Sequence, residues 1–567
     1  MKFECFVIVL SIYLLEKLID KVKSLNLDLS GDDNSGYFNK CFEELGCVEA
    51  DSRWFDKKLR PVNMEPADRH VIKTDFLLVK EDKRDHLDED YEGLLYTSVT
   101  ADMKSLKSSG FKKSSDLMLL IHDFTSNGYT GSINFHIPGE ALRQLVNLAR
   151  VVFGQSEDYN VISVDWQRGA EPPYDQAIAN ARVVALEVIF LLKELKENFN
   201  YTLDNVHIVG HGVGAHIAGY VGATYNDIRK ITGLDPSGPR FDGMPDIVKL
   251  SPTNAKYVEV IHTDSYNGRS QGTKELLGHS DFFINNADAQ PGCSENNTFG
   301  DVILVDRNQL SHGEVLPGCS HKRSFKYFIE SLMHGSCSFI GIKCNNYEDF
   351  SNGKCTSCEE NDSCRTFGAK SYPHSIQKTV FYLDTADDTP FCMFLVKISV
   401  SVKTEKERDG YFEFILVDES GDITEAVPSY KKEYKTIKGD SKNTFLYFAH
   451  PPQLGRIKEA KVKWNEKKKI YCFLYCDQHI NVERVEIEPV QQGKHKGEVS
   501  ILCPPPEGSK IENGAYKSFS ICSSTFGQNL TSTGSHHKNK SVTCAVVKPA
   551  KKHNTIHIST TPKPSKP

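Results

Sequence analysis

The sequence lacks an apolar run long enough to cross a membrane as a helix, apart from its first residues. A spanning helix needs about 18 or more consecutive apolar residues, and no later part of the 567-residue chain approaches that length. The sequence also lacks an excess of positive charge. Its 68 Lys and Arg residues stand against 75 Asp and Glu residues, which gives a formal net charge of −7. A general nucleic-acid-binding surface is therefore not expected.

The N-terminus is typical of a secretory signal peptide. One lysine precedes an apolar run from Phe3 to Leu15, and this length suits a signal peptide better than a membrane span. A buried helix is the alternative, because Glu4 lies in the region that is usually basic and no clear small-residue cleavage site follows. We expect residues 1–20 to be a signal peptide and the protein to be secreted to the extracellular space.

The cysteine content agrees with export. Of the 16 cysteines, 15 lie beyond the predicted signal peptide, several of them in close pairs. Cys355 and Cys358 form a Cys-x-x-Cys motif that half of a zinc site would also have, but no second such motif follows. Disulfide bonds are therefore expected. Glycosylation is expected too, since sequons begin at Asn200, Asn296, Asn361, Asn529 and Asn539.

Short apolar runs alternate with a helical pattern between about residues 115 and 335. The runs are LMLLIHDF (117–124), NVISVDW (160–166), NVHIVG (205–210) and YVEVIHT (257–263). Between the second and third, apolar residues recur every three or four positions from Ile178 to Leu195. Strand–helix–strand succession predicts an α/β fold with a mostly parallel central sheet.

The pattern changes to period two after a cysteine-rich stretch at 337–364. In FLVKISVSVK, residues Val396, Ile398 and Val400 share one face, and YFEFILV and NTFLYFAH are further strand-like runs. This predicts an all-β sandwich that begins near residue 378. From 505 to 567 the chain is rich in Ser, Thr, Lys, Asn and Pro, so we expect a polar tail that is largely disordered.

One turn is typical of a hydrolase but lacks its nucleophile. The segment NVHIVGHGVGAHIAGY (205–220) predicts a strand, a tight glycine turn and a helix. In the G-x-S-x-G motif such a turn displays a serine at its apex. Gly210 and Gly214 keep that frame, but Gly212 stands at the nucleophile position. By itself the motif is also compatible with a purely structural turn.

The neighbouring segments resemble the pancreatic-lipase family of secreted α/β-hydrolases. The segments that carry the resemblance are CFEELGCVEADSRW (41–54), ITGLDPSGPRFDG (231–243), VEVIHTDSYNGRSQGTKELLGHSDFFINNADAQPGC (258–293) and GCSHKRSFKYFIESL (318–332). QKTVFYLDTADD (377–388) is similar to the start of the family's C-terminal PLAT β-sandwich. The resemblance runs in order from about residue 38 to 503. It implies a lipase-like α/β-hydrolase domain over 38–370 and a PLAT-like sandwich over 378–503.

The resemblance also implies a catalytic site. It places the family's acid at Asp235 in GLDP and its histidine at His321 in CSHKRS. The backbone N–H groups of Phe124 and Val213 would be the oxyanion-hole donors. In a triad the acid orients the imidazole and the imidazole accepts the nucleophile's proton, so Gly212 leaves the implied site without its nucleophile.

A second departure from the family lies next to Phe124. Asp123 stands where the family usually has a glycine, and a carboxylate there would disfavour a negative transition state unless it points away. Ser237 and Ser320 are not expected to replace the missing serine, and His211 and His216 are expected to be an ordinary elbow histidine and a packed helix residue. We expect Gly212→Ser to restore measurable ester turnover, and to restore more when Asp123→Gly is added.

The family's lid and calcium loop also have counterparts here. The lid corresponds to the segment from Cys293 to Cys319. The calcium loop corresponds to Asp246, Lys249, Ser251 and Asn254. Ser251 and Asn254 replace acidic positions, and calcium prefers carboxylate ligands. We therefore expect no bound calcium and no other cofactor.

The resemblance implies four disulfides. They are Cys41–Cys47, Cys293–Cys319, Cys344–Cys355 and Cys358–Cys364. It does not pair Cys337, Cys392, Cys472, Cys476, Cys503, Cys522 or Cys544.

The predicted sandwich contains a cluster of basic residues. It surrounds Trp464 and comprises Arg456, Lys458, Lys461, Lys463, Lys467, Lys468 and Lys469. Family members use basic patches of this domain for heparin-like polysaccharides or lipoprotein surfaces, and a solvated sheet edge protected by lysines is the alternative.

Two functions stay open at this point. The first is a secreted lipase-family protein that binds lipid or lipoprotein without hydrolysis, with a colipase-like or polyanionic polysaccharide partner at the PLAT domain. The second is an active triacylglycerol lipase or carboxylic ester hydrolase. Gly212 favours the first.

Overall fold

A computed structural model describes most of the chain between residues 36 and 522. The described residues are 36–81, 94–125, 159–265, 270–293, 318–333, 337–355, 358, 363–368, 372, 377–404, 406–428, 434–450, 455–467, 478–490 and 499–522. The predicted signal peptide, residues 294–317 of the predicted lid, and residues 523–567 of the predicted tail lie outside them. Among the described residues, no helix is both long and apolar enough to span a bilayer.

A mixed 11-stranded sheet organises the first part of the chain, after a hairpin of β1 (Phe38–Phe42) and β2 (Gly46–Ala50). Its strands are β3 (Asp75–Glu81), β4 (Leu94–Val99), β5 (Asp116–Ile121), β6 (Tyr159–Asp165), β7 (Val206–His211), β8 (Lys230–Leu234), β9 (Tyr257–His262), β10 (Ser280–Ile284), β11 (Ile340–Lys343), β12 (Cys364–Thr366) and β13 (Thr379–Leu383). They lie in the order β12-β11-β13-β10-β9-β8-β7-β5-β6-β3-β4. The strands from β13 to β6 in this order pair in parallel.

Helices cover this sheet. The α-helices are α1 (Arg69–Ile72), α2 (Met103–Ser109), α3 (Tyr174–Asn198), α4 (Val213–Thr224), α5 (Cys319–Leu332) and α6 (Tyr347–Ser351). Short 3-10 helices span Glu43–Leu45, Ser52–Trp54, Gln167–Ala170, Leu203–Asn205, Asp246–Val248, Pro252–Asn254 and Asn285–Ala287. The apolar stripe predicted from Ile178 to Leu195 lies on α3 and is buried.

Apolar clusters on both faces explain the continuous apolar runs of the central strands. On β5, Leu117 and Leu119 belong to the cluster that contains the buried side chains of α3 and α4. The alternate residues Met118 and Leu120 belong to a second cluster with Tyr327 of α5. A strand that is buried on both faces cannot show polar alternation. The carboxyl ends of the parallel strands meet at one edge of the sheet, where the predicted site residues follow β5, β7 and β8.

The second part of the chain is an antiparallel β-sandwich. Its strands are β14 (Phe394–Lys403), β15 (Arg408–Asp418), β16 (Ile423–Pro428), β17 (Lys435–Ile437), β18 (Ser441–His450), β19 (Ile457–Glu466), β20 (His479–Pro489), β21 (Ser500–Cys503), β22 (Lys510–Glu512) and β23 (Tyr516–Ile521). Val396, Ile398 and Val400 are buried in its core, as the period-two pattern predicts. The predicted fold class, an α/β-hydrolase domain followed by an all-β sandwich, is confirmed.

Two expectations about the second part were wrong, and so was one alternative, the sheet edge proposed for the basic cluster. The segment expected to start the sandwich forms β13 and pairs in parallel with β10 of the large sheet. Residues assigned to the tail form β22 and β23 of the sandwich. β19 is not an edge strand, because it lies between β15 and β23. An alternating pattern reports which faces a strand buries but not which neighbour it pairs with.

Besides Cys503 and Cys522, which are also disulfide-bonded, the described residues contain five disulfides whose two cysteines are both defined. They are Cys41–Cys47, Cys293–Cys319, Cys337–Cys392, Cys344–Cys355 and Cys358–Cys364. Four are the pairs that the resemblance implies. Cys337 and Cys392 are separated by 55 residues in sequence, so nothing local in the sequence could pair them.

Candidate functional site

The glycine turn at residues 210–214 connects β7 directly to α4. Gly212 lies between them with φ of 54° and ψ of −116°, a conformation that residues with a Cβ rarely adopt. Its N–H donates to the main-chain oxygen of Leu234 over 3.0 Å. A Cβ on Gly214 would lie 2.3 Å from the main-chain oxygen of Ile121, so only glycine permits this close approach of α4 and β5. The turn therefore has the strained strand-to-helix form that the sequence predicts.

The structure brings the predicted acid and histidine together. Asp235 follows β8, and His321 lies in the first turn of α5. The His321 Nδ1 atom is 2.6 Å from Asp235 Oδ2, and both side chains are fully buried. The Oδ1 atom of Asp235 accepts hydrogen bonds from the N–H groups of Thr263 and Asp264. These contacts orient the imidazole as an acid–base pair requires.

Asp123 occupies the place that a nucleophile would take. It follows β5, and its Oδ2 atom is 3.0 Å from His321 Nε2. Its Oδ1 atom accepts a 2.7 Å hydrogen bond from the N–H of Val213, one of the two predicted oxyanion-hole donors. A Cβ built on Gly212 would lie 2.0 Å from that Oδ1 atom. The carboxylate does not point away, and it fills the space beside Gly212.

The sequence identified Asp123 as a departure from the family but not as a partner of His321. The signal for this contact was that two changes occur together, a lost side chain at Gly212 and an added one at Asp123. Phe124, the other predicted donor residue, is buried, and its ring packs edge-on against Tyr174 at 5.1 Å.

The two carboxylates change the protonation of the site. Burial by itself would lower the pKa of His321, but the hydrogen bonds to Asp123 and Asp235 outweigh it and raise that pKa to about 10. Burial opposes ionisation of Asp123, yet the hydrogen bond and the charge of His321 hold the pKa of Asp123 below its usual value. At neutral pH His321 is therefore a buried imidazolium whose Nε2 faces the ionised carboxyl group of Asp123.

The other histidines and serines near the turn have structural partners. Burial and the charge of His321 lower the pKa of His211 to about 4, so His211 is neutral. His216 is buried in α4 and stacks on Phe241 with ring centroids 3.7 Å apart, as packing in the helix would require. The Ser320 hydroxyl accepts a 2.9 Å hydrogen bond from the N–H of Gln290. His216 Nε2 donates to the main-chain oxygen of Ser237 over 2.8 Å.

The residues at the predicted calcium loop do not fit calcium. Asn254 uses its side-chain oxygen to accept the N–H of Ser251 over 2.7 Å. Lys249 forms an ion pair with Glu275, which places an ammonium group among the expected ligands. Asp246 alone offers a carboxylate, and calcium takes six to eight oxygen ligands. No catalytic step is assigned to calcium.

The basic cluster of the sandwich is partly neutralised. Lys463 forms an ion pair with Glu413 at 3.1 Å, and Arg456 approaches Glu419 at 3.7 Å. Trp464 is fully buried in the sandwich core, so it is not part of a surface patch. Lys468 and Lys469 lie outside the described residues.

Comparisons with known proteins show which family the chain resembles. A sequence model of the family described as "Lipase" matches residues 39–391. The chain is 31% identical to the pancreatic lipase-related protein 2 of Rattus norvegicus over 443 residues, which is 75% of this chain and 86% of that protein. It is 33% identical to the pancreatic triacylglycerol lipase of Homo sapiens over 438 residues, again 75% of this chain and 86% of that protein.

Proposed function

The chain belongs to the lipase family, and on that premise we propose that it is a secreted protein that binds lipid or lipoprotein surfaces without hydrolysing their esters. One observation carries the proposal: the carboxylate of Asp123 lies where a serine side chain on Gly212 would be. A protein of this kind keeps the family's scaffold and surfaces while its catalytic centre is closed by one of its own side chains.

The electrostatics of the site support the loss of hydrolysis. A general base must be neutral to accept a proton, but the raised pKa of His321, about 10, keeps its imidazole protonated at neutral pH. The Val213 N–H already donates to Asp123, so a substrate oxyanion would meet a negative charge there. Loss of a single oxyanion-hole donor costs about 2.7–4 kcal/mol in catalysis. Here the Val213 donor is occupied, and the Asp123 carboxylate that occupies it would also repel the oxyanion.

Secretion is supported by the disulfides. Five pairs are formed in the described part of the chain, and disulfides persist mainly in oxidising compartments. The apolar N-terminal run fits the same proposal.

We assign lipid contact to the sandwich, which we take to be PLAT-like, and to the lid. The exposed part of the basic cluster, with Lys461 at its centre, suits an anionic lipid surface, a polyanionic polysaccharide or a colipase-like partner. Because Lys463 and Arg456 already face glutamates, the attraction should be weak and reduced by salt, which screens exposed charges over about 8 Å at physiological ionic strength.

An active triacylglycerol lipase is the competing function. The names of the relatives favour it, since several are triacylglycerol lipases. It would require a nucleophile that reaches His321 from elsewhere in the chain, together with a displacement of Asp123 from His321 Nε2.

Assays of the purified protein on triglyceride and phospholipid emulsions separate the two functions. We expect hydrolysis no faster than the background of triads that lack a nucleophile, which is about 10³–10⁴ over water. We also expect that this background is unchanged in His321→Gln. Rapid hydrolysis that a serine-directed inhibitor blocks would establish the competing function. Binding is tested by flotation with anionic liposomes, where failure to float at low salt would refute lipid binding.

A further inference from the structure

The closed site places two buried carboxyl groups against one histidine. Asp123 and Asp235 flank His321, and the exposed fractions of the three side chains are 5%, 0% and 0%. Among the described residues, no lysine or arginine forms an ion pair with either carboxylate. Carboxyl groups buried in this way are costly to ionise unless a cation lies beside them. A divalent cation between Asp123 and His321 would supply such a charge.

The atoms around the shared proton match a metal ligand set. Asp123, His211 and His321 each offer one ligand atom, and these three atoms lie within 4.8 Å of one another. The two closest, Asp123 Oδ2 and His321 Nε2, are 3.0 Å apart. Two ligands of a tetrahedral zinc, each about 2.0–2.1 Å from the metal, are separated by roughly 3.3 Å. Small side-chain movements would therefore suffice to admit a metal.

Each of the three side chains is also held by a neighbour in the way that metal ligands usually are. His321 bonds Asp235 through Nδ1 over 2.6 Å, which reproduces the carboxylate–histidine pairing of zinc sites. The Nε2 of His211 lies 3.2 Å from the main-chain oxygen of His321. Because a carbonyl only accepts, that nitrogen carries the proton and Nδ1 keeps the free lone pair. The Val213 N–H fixes the second oxygen of Asp123.

We propose that Asp123, His211 and His321 form a binding site for one divalent transition metal of the zinc class. The metal takes the place of the proton between Asp123 Oδ2 and His321 Nε2, and that proton leaves to solvent. Asp235 is a positioning residue that orients His321. Three protein ligands leave one position of a tetrahedral ion open. The site requires glycine at residue 212, because a Cβ there would lie 2.0 Å from Asp123 Oδ1 and would exclude the carboxylate.

A competing cluster shares one ligand with this site. Asp235, Asp264 and His321 also have ligand atoms within 4.8 Å of one another. That alternative predicts dependence on Asp264 and not on Asp123, so variants at these two positions separate the clusters.

The test is metal binding to the full-length protein after treatment with a chelator. Titration calorimetry with Zn²⁺ should give one site, and Co²⁺ should give the visible spectrum of a four-coordinate ion. Asp123→Asn and His211→Gln should each abolish the site or weaken it at least tenfold. Asp235→Asn should weaken it about 10- to 100-fold, the usual effect of losing such a supporting carboxylate, while the Co²⁺ spectrum keeps its four-coordinate form.

His207→Gln is the matched control. His207 lies on β7 like His211, but at the other end of the strand, where its Nε2 is 2.9 Å from Thr232 Oγ1, so its loss should leave metal affinity unchanged. Circular dichroism and thermal melting show that each variant is folded. If a variant does not fold, stabilisation of the unmutated protein by Zn²⁺ together with its Co²⁺ spectrum decides the question.

Absence of binding by the folded, unmutated protein would overturn the proposal. Binding that survives Asp123→Asn but is lost in Asp264→Asn would also overturn it, as would binding unaffected by His211→Gln. These measurements use no lipid, so their failure would leave the proposed lipid-binding function untouched.

Discussion

A serine at residue 212 should restore ester turnover only when Asp123 is also removed. The perturbation is Gly212→Ser, alone and with Asp123→Gly. A Cβ at residue 212 would lie 2.0, 2.2 and 2.6 Å from three atoms of the Asp123 carboxyl group, whereas ordinary contacts exceed about 3.4 Å. The serine and the carboxylate therefore cannot occupy the site together. The sequence alone predicts that the single substitution restores turnover, and the structure contradicts that expectation.

The energies follow from what the serine displaces. Moving Asp123 removes one partner of a buried ion pair with His321, which costs about 3–5 kcal/mol, and it leaves the Val213 N–H without its acceptor. A side chain at φ of 54° adds about 1–3 kcal/mol of backbone strain. In the Asp123→Gly background only the strain remains, because the serine hydroxyl can bond His321. Gly212→Ser should therefore be about 3 kcal/mol less destabilising in that background.

The assay is a double-mutant cycle on both stability and ester turnover. Urea denaturation gives the coupling energy between the two positions, and a short-chain ester gives the turnover. We expect Gly212→Ser to be destabilised and inactive, Asp123→Gly to be inactive, and the double variant alone to show hydrolysis that a serine-directed inhibitor blocks. Adding His321→Gln to the double variant should abolish it. Additive stability changes, or activity in Gly212→Ser by itself, would refute the reasoning.

Three further predictions concern the same protein. The hydrogen bonds to Asp123 and Asp235 raise the pKa of His321 to about 10. The stability that protonated His321 contributes is therefore complete below its pKa in the unfolded chain, about 6.5, and is lost as the pH rises towards 10. The unfolding free energy of the metal-free protein should fall between about pH 6.5 and 10. An equally steep fall of the unfolding free energy with pH in Asp123→Asn would contradict this prediction. Asp123→Gly leaves the Val213 N–H without its acceptor and opens space beside His321, so formate or acetate should raise its melting temperature well above the shift seen with chloride; equal shifts would argue against an anion site. Non-reducing peptide mapping should link Cys337 to Cys392 in addition to the four family-like pairs, and free thiols at both positions would disprove that bridge.

The residue pattern by itself predicted the fold class, and the family resemblance of a few segments implied where the site residues lie. Buried strands such as β5 and β7 could be predicted because continuous apolar runs report burial on both faces. The glycine turn could also be predicted from its own residues, because strands and tight turns depend on neighbours in the chain. Asp235 and His321, in contrast, were identified only through the resemblance to the pancreatic-lipase family.

Only the tertiary structure decided how the site is closed. The contact between Asp123 and the N–H of Val213 joins residues 90 positions apart, and no periodicity in the sequence reports where a side chain at the end of β5 points. The same limit applies to β13, which pairs with β10 of the large sheet instead of starting the sandwich. Strand partners and side-chain directions across the sheet edge are set by packing between distant segments. For this reason the sequence showed that the serine was missing, but not that a carboxylate had taken its place.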